Sequence, residues 1–135
     1  MSDAPCRTRF AGRGISDGVI DPERLAAWMD AYVTAWGSND PADIAALFAE
    51  RATYRTEPHA EPWRGRDTIV RRWLDRKDAP GETTFRWSLV ATDGDLAVVQ
   101  GETTYPDRVY SNLWLVRLDE RGACTEFTEW WMEQP

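Results

Sequence analysis

The 135-residue chain has no run of about 18 apolar residues, so no transmembrane helix is expected. Its single histidine and two cysteines are too few for a zinc-type ligand cluster. Cys6 and Cys124 do not make a disulfide framework. Both are read as reduced thiols, and the expected location is the cytoplasm. GxGxxG and P-loop spacings are missing, which argues against a dinucleotide or a nucleoside triphosphate. Basic residues are outnumbered, 16 Lys and Arg against 23 Asp and Glu, for a formal net charge of −7. That balance disfavours a phosphate backbone, which calls for clustered Lys and Arg. Residues 1–20 lack the apolar stretch of a secretory signal and are expected to form a flexible tail. No cofactor, metal, nucleic acid or membrane is therefore expected as a partner.

What remains is the composition of one globular domain, over residues 21–135. A chain of this length buries roughly two-thirds of its unfolded surface, enough for a core with a pocket in it. The 42% hydrophobic and 29% charged fractions are ordinary for a folded protein. Eight tryptophans are not ordinary. They supply more flat apolar surface than a small filled core needs, and so point to a site for a flat hydrophobic ligand.

Two helix starts are written in the same way. Asp21-Pro22 and Asp40-Pro41 each pair a capping acid with a proline suited to the first helical position. After the first, Leu25, Trp28, Met29, Tyr32, Val33 and Trp36 recur at three- and four-residue steps, and Gly37 is the expected stop. After the second, Ile44, Leu47 and Phe48 mark a shorter helix. A strand is expected over Ala52 to Glu57, then a loop from Glu57 to Gly65, broken by Pro58 and Pro62. A third helix is expected from about Asp67 to Lys77, with Arg76 and Lys77 facing water and Pro80-Gly81 closing it. Four strands follow, Thr83–Ala91, Leu96–Tyr105, Val109–Leu118 and Ala123–Met132, joined by short turns that force antiparallel neighbours. The expected class is α+β: three N-terminal helices packed on one curved antiparallel sheet.

Turn lengths also imply a register. A two-residue turn at Pro106-Asp107 sets Thr103 opposite Tyr110 and Gly101 opposite Asn112. A four-residue loop from Asp119 to Gly122 sets Trp114 opposite Phe127 and Asn112 opposite Glu129. One face then reads Gly101, Thr103, Tyr110, Asn112, Trp114, Phe127, Glu129 and Trp131, and is taken as the face under the helices. The opposite face carries Leu113, Leu115 and Trp130, a strip suited to a homodimer.

This order of elements resembles the nuclear transport factor 2-like superfamily, especially its SnoaL-like members, over about Asp21 to Met132. The marks are Ala31-Tyr32-Val33-Thr34-Ala35-Trp36, the Asn39-Asp40 link, Leu47-Phe48-Ala49-Glu50, Ala52-Thr53-Tyr54, the Gly65-to-Ile69 helix start and the Glu126-to-Trp131 strand. The resemblance implies a cone-shaped α+β barrel with a mostly apolar pocket. It also implies a choice among isomerases, cyclases, dehydratases, epoxide hydrolases and non-catalytic binding domains. Tyr32 stands where the ketosteroid isomerase pattern has a tyrosine donor on the first helix. Glu57-Pro58 is similar to its strand-end base, one residue offset, and Asn112 occupies the place of its protonated aspartic acid. Glu129 is similar to the last-strand carboxylate of the limonene epoxide hydrolase pattern. The Arg-x-Asp pair of that pattern is replaced by Gly101, Glu102 and Thr103.

The expected catalytic residues are therefore Glu57, Glu129, Tyr32 and Asn112. Either glutamate would move a proton, while Tyr32 and Asn112 would hold a developing oxyanion. The expected pocket wall is Trp28, Trp36, Tyr54, His59, Trp63, Trp73, Tyr110, Trp114, Phe127 and Trp131. Packing alone also accounts for Tyr32, and Asn112 can simply satisfy Glu129. The function expected is a cofactor-independent enzyme acting on a small hydrophobic molecule. The alternative is a binding protein that uses the same pocket without turnover.

Overall fold

The computed structural model describes residues 19–77 and 83–135. Helix α1 (Pro22–Ser38) starts where Asp21 accepts a hydrogen bond from the Glu23 amide at 3.0 Å. It buries Leu25, Trp28, Met29, Tyr32 and Ala35. Val33 lies on the outer side, and Gly37 is inside the helix, not its stop. The stop is Asn39, which takes a left-handed φ of 52° and donates its amide to the Ala35 carbonyl. Asparagine tolerates that conformation because its short polar side chain finds local partners.

Helix α2 (Pro41–Ala45) is capped by Asp40 and is shorter than expected. Leu47 and Phe48 are buried but do not extend it. The Cys124 amide donates to the Leu47 carbonyl, and Phe48 pairs with Cys124 in the sheet. Tertiary pairing therefore outweighs helical periodicity at this point. Strand β1 (Phe48–Arg55) follows, and β2 (Trp63–Arg64) folds back against it inside the segment expected to be wholly loop. Gly65, at φ 90°, begins α3 (Arg66–Asp75), which buries Ile69 and Trp73. The expected closure at Pro80-Gly81 lies outside the described residues, as do Cys6 and most of the N-terminal tail.

Strands β3 (Thr84–Asp93), β4 (Leu96–Thr104), β5 (Val109–Leu118) and β6 (Cys124–Glu133) form an antiparallel meander. The full sheet has six strands in the order β2-β1-β6-β5-β4-β3, curved but not closed. It is mixed rather than wholly antiparallel, because β1 joins β6 in parallel. The helices cover one face, and the core between them holds Phe48, Ile69, Val99, Trp114, Val116 and Phe127.

The β4–β5 register is the one the Pro106-Asp107 turn implies, with Thr103 opposite Tyr110 and Gly101 opposite Asn112. The β5–β6 register differs by two residues: Trp114 faces Glu129, and Asn112 faces Trp131. Asp119 pairs with Ala123 through a hydrogen bond of 2.8 Å, which shifts the pairing by one. The register then slips once more between Arg117 and Leu118, leaving Thr125 as the extra residue of a β-bulge. Two single steps preserve side-chain parity. Asn112, Trp114, Phe127, Glu129 and Trp131 therefore still share the inner face.

Candidate functional site

The inner face, α1 and α3 leave a cavity of about 240 Å³ at the end of the sheet where β1, β4 and β6 finish and β5 begins. Trp114, Phe127 and Phe48 pack beneath it as a closed floor. Its walls are Tyr32 and Trp36 from α1, Trp73 from α3, Tyr54 from β1 and Trp63 from β2. The sheet contributes Thr103, Tyr105, Tyr110, Asn112, Glu129 and Trp131. Thr56, Arg76 and Lys77 complete the rim.

Alternation along β6 aims Glu129 inward between Phe127 and Trp131. Tyr54, inward on β1 and paired with Phe127, meets it there. The Tyr54 hydroxyl donates a hydrogen bond to Glu129 Oε1. The Tyr32 and Tyr54 hydroxyls are 3.2 Å apart. Since the Tyr54 proton points to the carboxylate, Tyr32 is the donor in that second contact. The result is a chain from α1 through β1 to β6: Tyr32 to Tyr54 to Glu129. Burial, followed by the charge of Glu129, drives the Tyr54 phenol well above its ordinary pKa, so it acts as a neutral donor. Trp63 lies on Tyr54 with ring centroids 4.4 Å apart and planes 20° apart, fixing the phenol in place.

A second polar pair lies on the sheet. Thr103 and Asn112 are 2% and 7% exposed, and Thr103 Oγ1 donates to Asn112 Oδ1 at 2.6 Å. With its oxygen engaged, Asn112 offers the cavity its amide N–H groups. Trp73 is held by its indole N–H, which donates to Asn39 Oδ1 at 3.1 Å. At the rim, the Arg76 guanidinium lies 5.6 Å from the ring of Trp63 and 5.8 Å from that of Trp131, within cation–π range of both. Among the described residues, no group of three or more His, Cys, Asp or Glu side chains is placed to hold a metal.

The structure thus gathers nine of the sequence candidates around the cavity: Tyr32, Trp36, Tyr54, Trp63, Trp73, Tyr110, Asn112, Glu129 and Trp131. Trp28, Trp114 and Phe127 are core residues below it, and Trp28 donates its indole N–H to the Leu47 carbonyl. Glu57 and His59 lie outside. Their side chains are 57% and 82% exposed and sit 3.6 Å apart on the loop after β1. The chain turns away at Thr56, so an acid one residue later does not enter. Arg76 and Lys77 are exposed, as expected, and they also line the open rim. They follow the end of α3 at Asp75, with Arg76 as its non-helical C-cap, so helical periodicity does not announce them at the rim. Thr103 was legible as an inner-face residue but was not linked to Asn112.

A family model for the SnoaL-like domain matches residues 29–130. No curated protein matches the chain. Among solved structures, the chain is similar to a Kribbella flavida protein provisionally assigned as a ketosteroid isomerase. That pair has 23% identity and a TM-score of 0.65, with 84% of this chain and 81% of that chain covered. It is also similar to an NTF-2 like protein of unknown function from Burkholderia xenovorans, at 16% identity and a TM-score of 0.66, covering 84% and 88% of the two chains. A steroid delta-isomerase from Pseudomonas aeruginosa matches at 17% identity and a TM-score of 0.59, covering 87% and 84%. These likenesses show a common fold, and with the domain match over residues 29–130 they establish that the chain belongs to the SnoaL-like domain family.

Proposed function

We propose that this protein is a cofactor-independent enzyme that moves a proton on a small, largely hydrophobic substrate, with Glu129 as the proton-transferring group. The observation that carries this reading is the setting of Glu129. It is an inward carboxyl on an aromatic wall, hydrogen-bonded by the phenol of Tyr54. A carboxyl in such a place, with a positioned donor behind it, is uncommon without a chemical task. Glu129 would take a proton from a carbon beside a carbonyl, or from a water that opens an epoxide. The Asn112 amide would donate to the oxygen on which negative charge grows. As Glu129 gains the proton, the phenol of Tyr54 keeps the carboxyl oriented for its return. In each reaction class Glu129 then gives the proton back: to another carbon in isomerisation, to the departing hydroxide in dehydration, and to the alkoxide formed in cyclisation or epoxide opening.

Size bounds the substrate. A volume of about 240 Å³ lies below the usual range of ligand pockets, which favours a small substrate. It suits one or two rings.

The test is a panel of one- and two-ring unsaturated ketones, β-hydroxy ketones and epoxides, assayed by product formation. Wild-type turnover that falls at least about a hundredfold in Glu129→Gln is the expected result. Full activity in that variant overturns the mechanism. A second reading, ligand binding without turnover, is favoured by the direct engagement of Glu129 by Tyr54. Ligands that bind unchanged, with no product from any of them, would establish it. The same proposal places the protein in the cytoplasm with Cys124 reduced. It also has Leu113, Leu115 and Trp130 packing on a second copy; Leu113 and Trp130 are exposed on the outer face. Light scattering that finds only monomer at micromolar concentration rejects the dimer.

A further inference from the structure

The rim of the cavity has a charge that the reaction proposed above does not use. Arg76 and Lys77 both line it, and Glu129 is the one acid among the lining residues. Glu129 is already hydrogen-bonded by Tyr54. Among the described residues, no carboxylate forms an ion pair with Arg76 or Lys77. Arg76 is nevertheless placed: its guanidinium sits within about 6 Å of the rings of both Trp63 and Trp131. Contact with aromatic rings uses the positive charge but none of the N–H donors. A guanidinium fixed in this way keeps its forked donors for a planar anion. The protein as a whole carries a net charge of −7, so two adjacent cations at the mouth of its cavity run against the general charge.

We infer that the ligand of this cavity is a small aromatic or alicyclic carboxylate, its ring held among the tryptophans and its carboxylate bound at the rim by Arg76 and Lys77. The inference rests on the reading of the cavity as a ligand site and adds the polarity and orientation of the ligand. Glu129 is two residues before Trp131 on β6, one inward side chain deeper. Two strand residues span about 7 Å. The reacting atom therefore lies across a ring from the carboxylate, not beside it.

The test compares 2-naphthoate with 2-naphthamide, which has the same two rings and no charge, by isothermal titration calorimetry. The expected result is at least about tenfold tighter binding of the carboxylate, reduced by added salt because the rim is open to solvent. In Arg76→Gln with Lys77→Gln that preference disappears, while the affinity for the amide is unchanged. Arg76→Lys, which keeps the charge and loses the planar fork, retains part of it. If the wild type binds both probes equally, the anionic anchor is overturned and the ligand cavity stands. If the double variant loses the carboxylate and the amide alike, Arg76 and Lys77 shape the rim and do not read charge, which also overturns the inference. If neither probe binds the wild type, the cavity reading fails together with it.

Discussion

Tyr54 on β1 and Glu129 on β6 are 75 residues apart in the chain and share one proton-mediated contact inside the cavity. The parallel pairing of those two strands brings them together, with Tyr54 beside Phe127 and Glu129 one inward position further on. Tyr54→Phe keeps the ring stacked on Trp63 and removes the donor. Its expected cost is about 1–3 kcal/mol, since a carboxyl facing aromatic walls loses a partner. Adding Glu129→Gln to Tyr54→Phe should cost less than Glu129→Gln alone, with a coupling of at least about 0.5 kcal/mol. Urea midpoints of the four proteins check this; strict additivity would mean that the two side chains do not interact.

Stability should decline on the alkaline side. Burial is the leading cause that raises both the Tyr54 phenol and the Cys124 thiol above their ordinary pKa values. Both groups hold their protons more tightly folded than unfolded. The unfolded chain releases them first, the thiol from about pH 8.5 and the phenol from about pH 10. Their contribution is complete below that window and is lost as the pH climbs through it. Cys124→Ala should flatten the earlier part of the decline and Tyr54→Phe the later part, measured as urea midpoint against pH. A wild-type profile that stays level up to about pH 11 contradicts this assignment.

Gly101 should not tolerate alanine. A Cβ there would come within 2.6 Å of Phe85 Cζ and 3.0 Å of the Arg86 carbonyl. Phe85 cannot swing aside cheaply, because it is stacked on Trp114 at 4.8 Å and packed on Trp36 at 5.6 Å. Gly101→Ala is expected to cost about 1–3 kcal/mol, the usual range for overpacking. Shortening the ring with Phe85→Leu in the same chain should recover part of that loss. Thermal and urea unfolding of both variants give the comparison.

The two candidate glutamates should separate cleanly. Glu57→Gln changes an exposed side chain outside the cavity and should leave ligand affinity and any turnover within about a factor of two, as surface substitutions usually do. Glu129→Gln should abolish turnover while the fold persists. Equal losses from the two would show that the loop carrying Glu57 closes over the site.

Much of this arrangement is legible along the chain because its causes are local. The helix starts at Asp21-Pro22 and Asp40-Pro41 depend on capping within three residues. The β4–β5 register depends on a tight turn, confirmed by the Tyr105 amide donating to the Arg108 carbonyl. Inward placement of Asn112, Glu129 and Trp131 follows from strand alternation. The less legible features depend on distant partners. Phe48 reads as helix because its periodicity is helical, and only Cys124 draws it into the sheet. The contact of Tyr54 with Glu129 needs a parallel pairing that no turn announces. Glu57 looked like a strand-end acid, but the strand ends two residues earlier, at Arg55.

The bulge at Thr125 has a consequence for how this protein can change over evolutionary time. Thr125 is an extra residue that the ladder carries without passing its displacement on to the rest of β6. Losing it would make the pairing of β5 with β6 regular and would keep Arg117 opposite Glu126 and Trp114 opposite Glu129. The acid would stay inside. Viable descendants should therefore tolerate the loss of one residue at this point.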